Sequence, residues 1–351
     1  MAKKAKKNRP STSSPFMQFG NELVGPGERK RIDLEVATLY DYTKINIPIE
    51  VIRGKEEGPT LFISAAVHGD EINGIEIIKR ILQSSKLARI KGTLICIPVV
   101  NTFGFNNLSR YLPDRRDLNR CFPGSARGSL GSRLAHLFMK EIVSKCSHGI
   151  DLHTGAIHRS NIPQIRASLD NEEVKQLAND FGVPIIINSS LRDGSLREAA
   201  RKKRVKVLLF EGGEALRFEE DVIKAGLKGC FSLMKNIGML PQKEKIKKKK
   251  RVKKKSTYVA QSSHWIRAPH SGSVKQIKTL GDEVQAGEII AVISDTFGNN
   301  PYNVRAKSSG IIIGMSTIPL VNKGDAMVHI ALFSDSSKVS DLLQTDDEEI
   351  I

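Results

Sequence analysis

The chain has 351 residues, 40% of them apolar and 26% charged, with a formal net charge of +17. That length exceeds one small core, so two domains are expected, and the composition is that of a soluble globular protein rather than a fibrous or disordered one. No apolar run approaches the ~18 residues of a membrane span, and no apolar stretch follows the basic N-terminus as a secretory signal requires.

The charge is unevenly placed. Residues 3–9 hold five basic residues and no acid, and residues 243–255, "KEKIKKKKRVKKK", hold ten basic residues and Glu244. These two segments carry +14 of the +17, so the rest of the chain is close to neutral. Blocks of like charge are read first as solvated and disordered. The second reading is weak binding of an acidic polymer through 243–255. Sequence-specific nucleic-acid binding is not expected, because no aromatic interleaving or nucleic-acid motif accompanies the lysines. Cys96, Cys121, Cys146 and Cys230 are scattered, with no C-x-x-C pair. That suits reduced thiols in a cytoplasm.

In chain order, residues 1–24 read as a flexible basic tail and residues 25–240 as an α/β domain. Within that domain "PTLFISAAV" (59–67), "GTLICIPVV" (92–100), "GIDLH" (149–153), "VPIII" (183–187) and "VKVLLF" (205–210) look like buried strands. Helical patterns separate them, as in "EINGIEIIKRILQSS", where Ile75, Ile78 and Leu82 share one face. The alternation predicts a central sheet covered by helices on both faces. A lysine-rich linker follows at 241–263. Residues 264–335 then contain a short repeat, "IRAPHSGSV" at 266–274 and "VRAKSSGII" at 304–312, offset by 38. Gly-rich turns between short β-branched strands predict a small all-β unit with pseudo-twofold symmetry. It resembles the biotinyl/lipoyl barrel, but a carrier of that kind needs a lysine at its hairpin tip. "SDTFGNNPYNV" at 294–304 has none. A structural or gating cap is therefore expected, and residues 336–351 read as an acidic tail.

Three polar signals fall at the C-terminal ends of predicted strands: His68-Gly-Asp-Glu71, Asp151-Leu-His153, and Glu211 before Gly212-Gly213. Ligands gather at the carboxyl ends of strands in open α/β sheets. Two histidines and a glutamate are a ligand set for a catalytic zinc, with a fourth position left for water. Glu211 is then placed to act as base, Asp151 to orient a ligand histidine, and Asp70 to form a turn. The glycines after Glu211 would let a substrate approach the backbone. A long loop, "NTFGFNNLSRYLPDRRDLNRCFPG" (101–124), adds Arg110, Arg115, Arg116, Asn119 and Arg120, donors suited to a carboxylate.

"HGDE", "DLNRCFPG", "DLHTG" and "LLFEGGE", in this order, resemble the succinylglutamate desuccinylase/aspartoacylase family, related to the zinc carboxypeptidases. The resemblance covers roughly residues 55–335, and the lysine run departs from the family's pattern. It implies one zinc ion per chain held by His68, Glu71 and His153, with Glu211 as catalytic base and acid toward a metal-bound water. It implies Asn119 and Arg120 on the substrate's α-carboxylate, Arg110 polarising the scissile carbonyl, and Arg197, from "GSLREAA", as a further substrate arginine. The implied reaction is hydrolysis of an N-acyl amino acid, a small molecule with a free carboxylate. The alternative is carboxypeptidase-like removal of a C-terminal residue from a peptide. Arg159, Arg166 and Tyr302 are candidates to reach the site. Acyl group, amino acid and oligomeric state are not legible at this level.

Overall fold

The computed structural model describes residues 15–242 and 257–334, together with Ser336, Val339 and Leu343. The lysine run and most of the two terminal segments lie outside the described residues. Among the described residues no helix is long and apolar enough to cross a membrane.

A mixed sheet of 13 strands organises the molecule. Its centre is four parallel strands in the order Lys206–Gly213, His148–His153, Thr60–Ala65, Thr93–Ile97. These are apolar runs with almost no alternation, as strands covered on both faces require. Outside Thr93–Ile97 lies the antiparallel hairpin Arg29–Thr38 and Lys44–Arg53. Outside Lys206–Gly213 lies Arg159–Ala167, also antiparallel. Helices Asn73–Leu82, Glu172–Phe181 and Glu220–Asn236 bury one face of this sheet. Leu130–Glu141 and Leu196–Lys202 bury the other.

The C-terminal unit grows out of the same sheet. Gly310–Ser316 pairs with Arg159–Ala167, and Ala326–Leu332 and Ser262–Arg267 follow outward. A second antiparallel sheet, Tyr302–Arg305, Ile289–Ser294, Gly272–Gln276 and Leu320–Val321, closes over a core that includes Ile266, Val284, Ile290 and Ile330. The chain re-enters the described structure as Tyr258–Ala260, a strand parallel to Ile185–Asn188.

Two differences from the sequence reading have simple causes. Residues 17–24 are folded: Met17–Phe19 and Glu22–Val24 form a hairpin, because Phe19 and Val24 are apolar and sit fully buried in the core. In the Asn73–Leu82 helix the buried stripe is Gly74, Ile77, Ile78 and Ile81, while Ile75 and Leu82 only flank it. Gly74 sets that rotation. A Cβ there would stand 2.7 Å from the Cβ atoms of both Ala65 and Leu152, so the helix lies directly on the two strands that end at the metal-ligand candidates.

That contact gives a test. Gly74→Ala gains helix propensity but overpacks the helix–sheet seam, which costs about 1–3 kcal/mol. A Tm lowered by several degrees in calorimetry is expected, and an equal or higher Tm would contradict the close approach.

Candidate active site

The strand Thr60–Ala65 ends where Ala66 adopts a left-handed φ of 50°, turning the chain toward His68. The His68-Gly69-Asp70-Glu71 turn closes with Glu71 N–H donating to the His68 carbonyl at 3.1 Å. Only glycine fits at 69, since a Cβ would stand 2.0 Å from the Gly104 carbonyl carbon. His153 is the last residue of its strand, two positions after Asp151 and so on the same face.

These segments meet around one buried carboxylate. Glu71 Oε1 lies 2.7 Å from His68 Nδ1, and Oε2 lies 2.7 Å from His153 Nδ1. Arg110 Nη1 donates to Oε1 at 2.9 Å and the Thr154 N–H to Oε2 at 3.2 Å. The far nitrogen of each imidazole has its own carboxylate. His153 Nε2 is 2.7 Å from Asp151 Oδ2, and His68 Nε2 is 3.1 Å from Asp117 Oδ1. Asp151 is held in turn by the Ser64 hydroxyl at 2.8 Å. Burial opposes a positive charge on His68 and His153, yet Glu71 with Asp117 and Asp151 with Glu71 outweigh it, and both pKa values are raised. Burial alone would lift Glu71, but the two imidazoles hold its carboxyl well below the usual range.

One ligand atom from each of His68, Glu71 and His153 lies within 4.8 Å of the others. The donor set fits a single divalent zinc: two imidazoles, one carboxylate, and partners on both outer nitrogens that fix ring orientation and raise ligand basicity. Both Nδ1 atoms face Glu71, so those are the nitrogens that would bind.

The cluster opens into a cavity of about 460 Å³. Glu211 lies in it, beside His153 in the parallel register. Asn161 Nδ2 donates to Glu211 Oε1 at 3.0 Å, and Arg166 forms an ion pair with Oε2. Six arginines line the walls, Arg110, Arg120, Arg159, Arg166, Arg192 and Arg197, against the two carboxylates Glu71 and Glu211. Arg197 is nearly buried. Desolvation, reinforced by Arg166, lowers its pKa to about 10.

The sequence candidates divide by position. His68, Glu71, Arg110, Arg120, His153, Arg197 and Glu211 line the cavity, as do Arg159 and Arg166. Asn119 stands behind the wall, buried, its Oδ1 accepting from the Leu196 N–H at 2.9 Å. Tyr302 is half exposed against His270 and does not line the cavity. Gly212 and Gly213 serve packing rather than substrate approach. Gly213 sits at a φ of 73° in a register shift, and Cβ atoms at the two positions would meet Val222 and Glu219. Asp117, Asn161, Arg192 and Trp265 were not anticipated. Asp117 caps the single turn at Leu118–Arg120, a signal visible in "DLNR". Nothing in the local sequence marks the other three.

Residues 57–237, just over half of the chain, match the succinylglutamate desuccinylase/aspartoacylase catalytic domain. The chain belongs to the succinylglutamate desuccinylase/aspartoacylase family. Among curated proteins it is 26% identical to N-alpha-acetyl-L-2,4-diaminobutyric acid deacetylase of Halomonas elongata, over 94% of this chain and 98% of that one. Its fold is that of a Silicibacter succinylglutamate desuccinylase (TM-score 0.78, 21% identity, 92% of this chain and 99% of that one). It is equally that of the ectoine utilization protein EutE of Ruegeria pomeroyi, solved with product bound (TM-score 0.78, 21% identity, 91% and 99%). The family sheet thus carries strand ends that here hold the His68–Glu71–His153 cluster.

Two outcomes follow for the metal-ligand candidates. Asp151→Asn keeps the shape beside His153 but weakens its orientation, so zinc affinity by competition with a chelator should fall by about 10–100-fold. In chelator-stripped protein the raised histidine pKa values stabilise the fold below the ordinary histidine range, and that stability is lost as pH rises through the raised values. Zinc must displace those protons. Its titration should therefore release protons, read by calorimetry in buffers of different ionisation enthalpy, and its affinity should rise with pH. Proton-neutral binding would contradict the cluster.

Proposed function

We propose that this family member is a zinc-dependent amidohydrolase that removes the acyl group from an N-acyl amino acid. The observation that carries the reading is one cavity in which a buried His68–Glu71–His153 donor set, a second carboxylate at Glu211 and six arginines face each other. The curated relative, named as a deacetylase of an N-acetylated amino acid, supports it.

His68, Glu71 and His153 would hold a zinc ion, which would supply a Lewis acid able to activate water near neutral pH. The chain's own residues do the rest. Arg120, with Asn119 supporting its loop from behind, binds the α-carboxylate and orients the substrate. Arg197, held against the Arg166 carbonyl, adds a second cation to the lining. Arg110 uses two of its five donors on Glu71 and Asp117 and keeps others for the scissile carbonyl oxygen. Glu211, steadied by Asn161 and Arg166, takes the proton of the attacking water and passes it to the departing amine.

The charge of the cavity narrows the substrate. Six guanidiniums against two carboxylates favour an amino acid or acyl group bearing an additional carboxylate. The relative's named substrate carries a free amine instead, which this lining would repel. The four free cysteines support a cytoplasmic setting.

Zinc-loaded protein should release free amino acid from N-acylated acidic amino acids in a mass-spectrometric screen. Glu211→Gln should bind zinc normally and lose at least ~100-fold in kcat. Arg120→Ala should act chiefly on KM. Release from peptides with free C-termini, and not from N-acyl amino acids, would replace this reading with the carboxypeptidase one.

A further inference from the structure

One wall of the cavity comes from outside the catalytic strands. Trp265, the chain's one tryptophan, lines it from the Ser262–Arg267 strand. Two contacts immobilise the indole. His329, its direct cross-strand partner, stacks on it with ring centroids 4.7 Å apart and planes 10° apart. The Arg159 guanidinium lies over the ring, 5.3 Å from a ring centroid. His329 is buried, and that burial, with Arg166 and His264 nearby, lowers its pKa to about 3, so the stacked ring is neutral at working pH.

The strand Arg159–Ala167 shows which end of the substrate the indole meets. Arg159 and Arg166 both reach the cavity from this strand, and at ~3.3 Å per residue their Cα atoms stand ~23 Å apart along it. The carboxylate-binding groups gather at the Arg166 end. Arg197 donates to the Arg166 carbonyl. The Arg120 loop packs on the turn before Leu196, with the Phe122 N–H on the Gly194 carbonyl at 2.9 Å. Glu211 sits between, bonded to both Arg166 and Asn161. Arg159 and Trp265 form the opposite end. A substrate with its α-carboxylate at Arg120 and its amide at Glu211 therefore points its acyl group at Trp265.

We propose that Trp265 is the specificity-determining residue for the acyl group: its clamped ring closes that end of the cavity, so short acyl groups fit and long acyl chains or peptides do not. This rests on the amidohydrolase reading above. A ring pinned by a buried cross-strand stack yields little to a longer chain, because moving it unstacks His329 in the core of the C-terminal unit. The same pinning makes its emission a reporter of that end of the cavity.

The test uses the full zinc-loaded chain and a series of N-acylglutamates, acetyl, butyryl and hexanoyl, with a glutamate-terminated dipeptide. The quantity read is the ratio of kcat/KM for hexanoyl over acetyl. Trp265→Ala should raise that ratio about tenfold or more, with Trp265→Phe between, since each methylene in an apolar site discriminates by at least that order. In Glu211→Gln protein, which does not consume substrate, N-acetylglutamate should change tryptophan emission saturably and free glutamate should not. An unchanged ratio in an active Trp265→Phe protein, or emission indifferent to the acyl group, overturns the inference even if Trp265→Ala fails to fold. A wild-type chain that hydrolyses no N-acyl amino acid overturns the amidohydrolase reading itself, and this inference with it.

Discussion

The arrangement depends on one buried charge. Glu71 is nearly inaccessible to solvent, and an uncompensated carboxylate there would cost several kcal/mol. Every neighbouring segment contributes to its compensation: His68 from its own turn, His153 from the next parallel strand, Arg110 from the loop after Thr93–Ile97, and a backbone N–H from Thr154. The two imidazoles and Arg110 are themselves held, by Asp117 or Asp151. The result is a hydrogen-bonded polar cluster at the mouth of the cavity, specific in geometry because each charged member has a partner. A divalent cation bound to the imidazoles in place of their protons would offset the same buried carboxylate.

The C-terminal unit is tied to that centre by backbone pairing. Gly314 lies opposite Asn161, and a Cβ there would stand 2.4 Å from Asn161 Oδ1. The glycine leaves room for the side chain that steadies Glu211. One strand further out, His329 supports Trp265. A row of residues across the sheet thus runs from the Glu211 carboxylate to the Trp265 wall of the cavity, and the unit takes part in the site rather than standing over it.

Much of the centre was legible in the sequence. The parallel strands announced themselves as unbroken Ile, Val and Leu runs, and the metal-ligand candidates stood at their ends, where position along the chain maps directly onto position in the fold. The arginine walls were legible only in part. Arg120 and Arg110 fall in one conspicuous loop, whereas Arg192 is an ordinary basic residue until Leu196–Lys202 packs and the turn before it is placed. Asn161 and Trp265 were hidden for a different reason. The strand Arg159–Ala167 buries Asn161, Gln164, Ile165 and Ala167 at uneven spacing, with a register shift against Lys206–Gly213, so it shows no period. Trp265 owes its role to a pairing between distant segments. Local patterns report burial; they do not report which remote strand arrives beside them.

The pairing of Arg159–Ala167 with Gly310–Ser316 also orders events in time. A ribosome delivers the His68–Glu71 turn, the loop carrying Arg110 and Arg120, and Glu211 long before it delivers Gly314, His329 or the strand that seats Trp265 beside them. Until then one edge of the catalytic sheet has no partner along the Arg159–Asn161 segment, and a bare edge of this kind invites pairing with other chains. The non-local contact is slow to form for the same entropic reason that it is hidden from local patterns. The last strands made are the ones that finish the cavity, so a partly synthesised chain carries the chemistry of the centre without its enclosure.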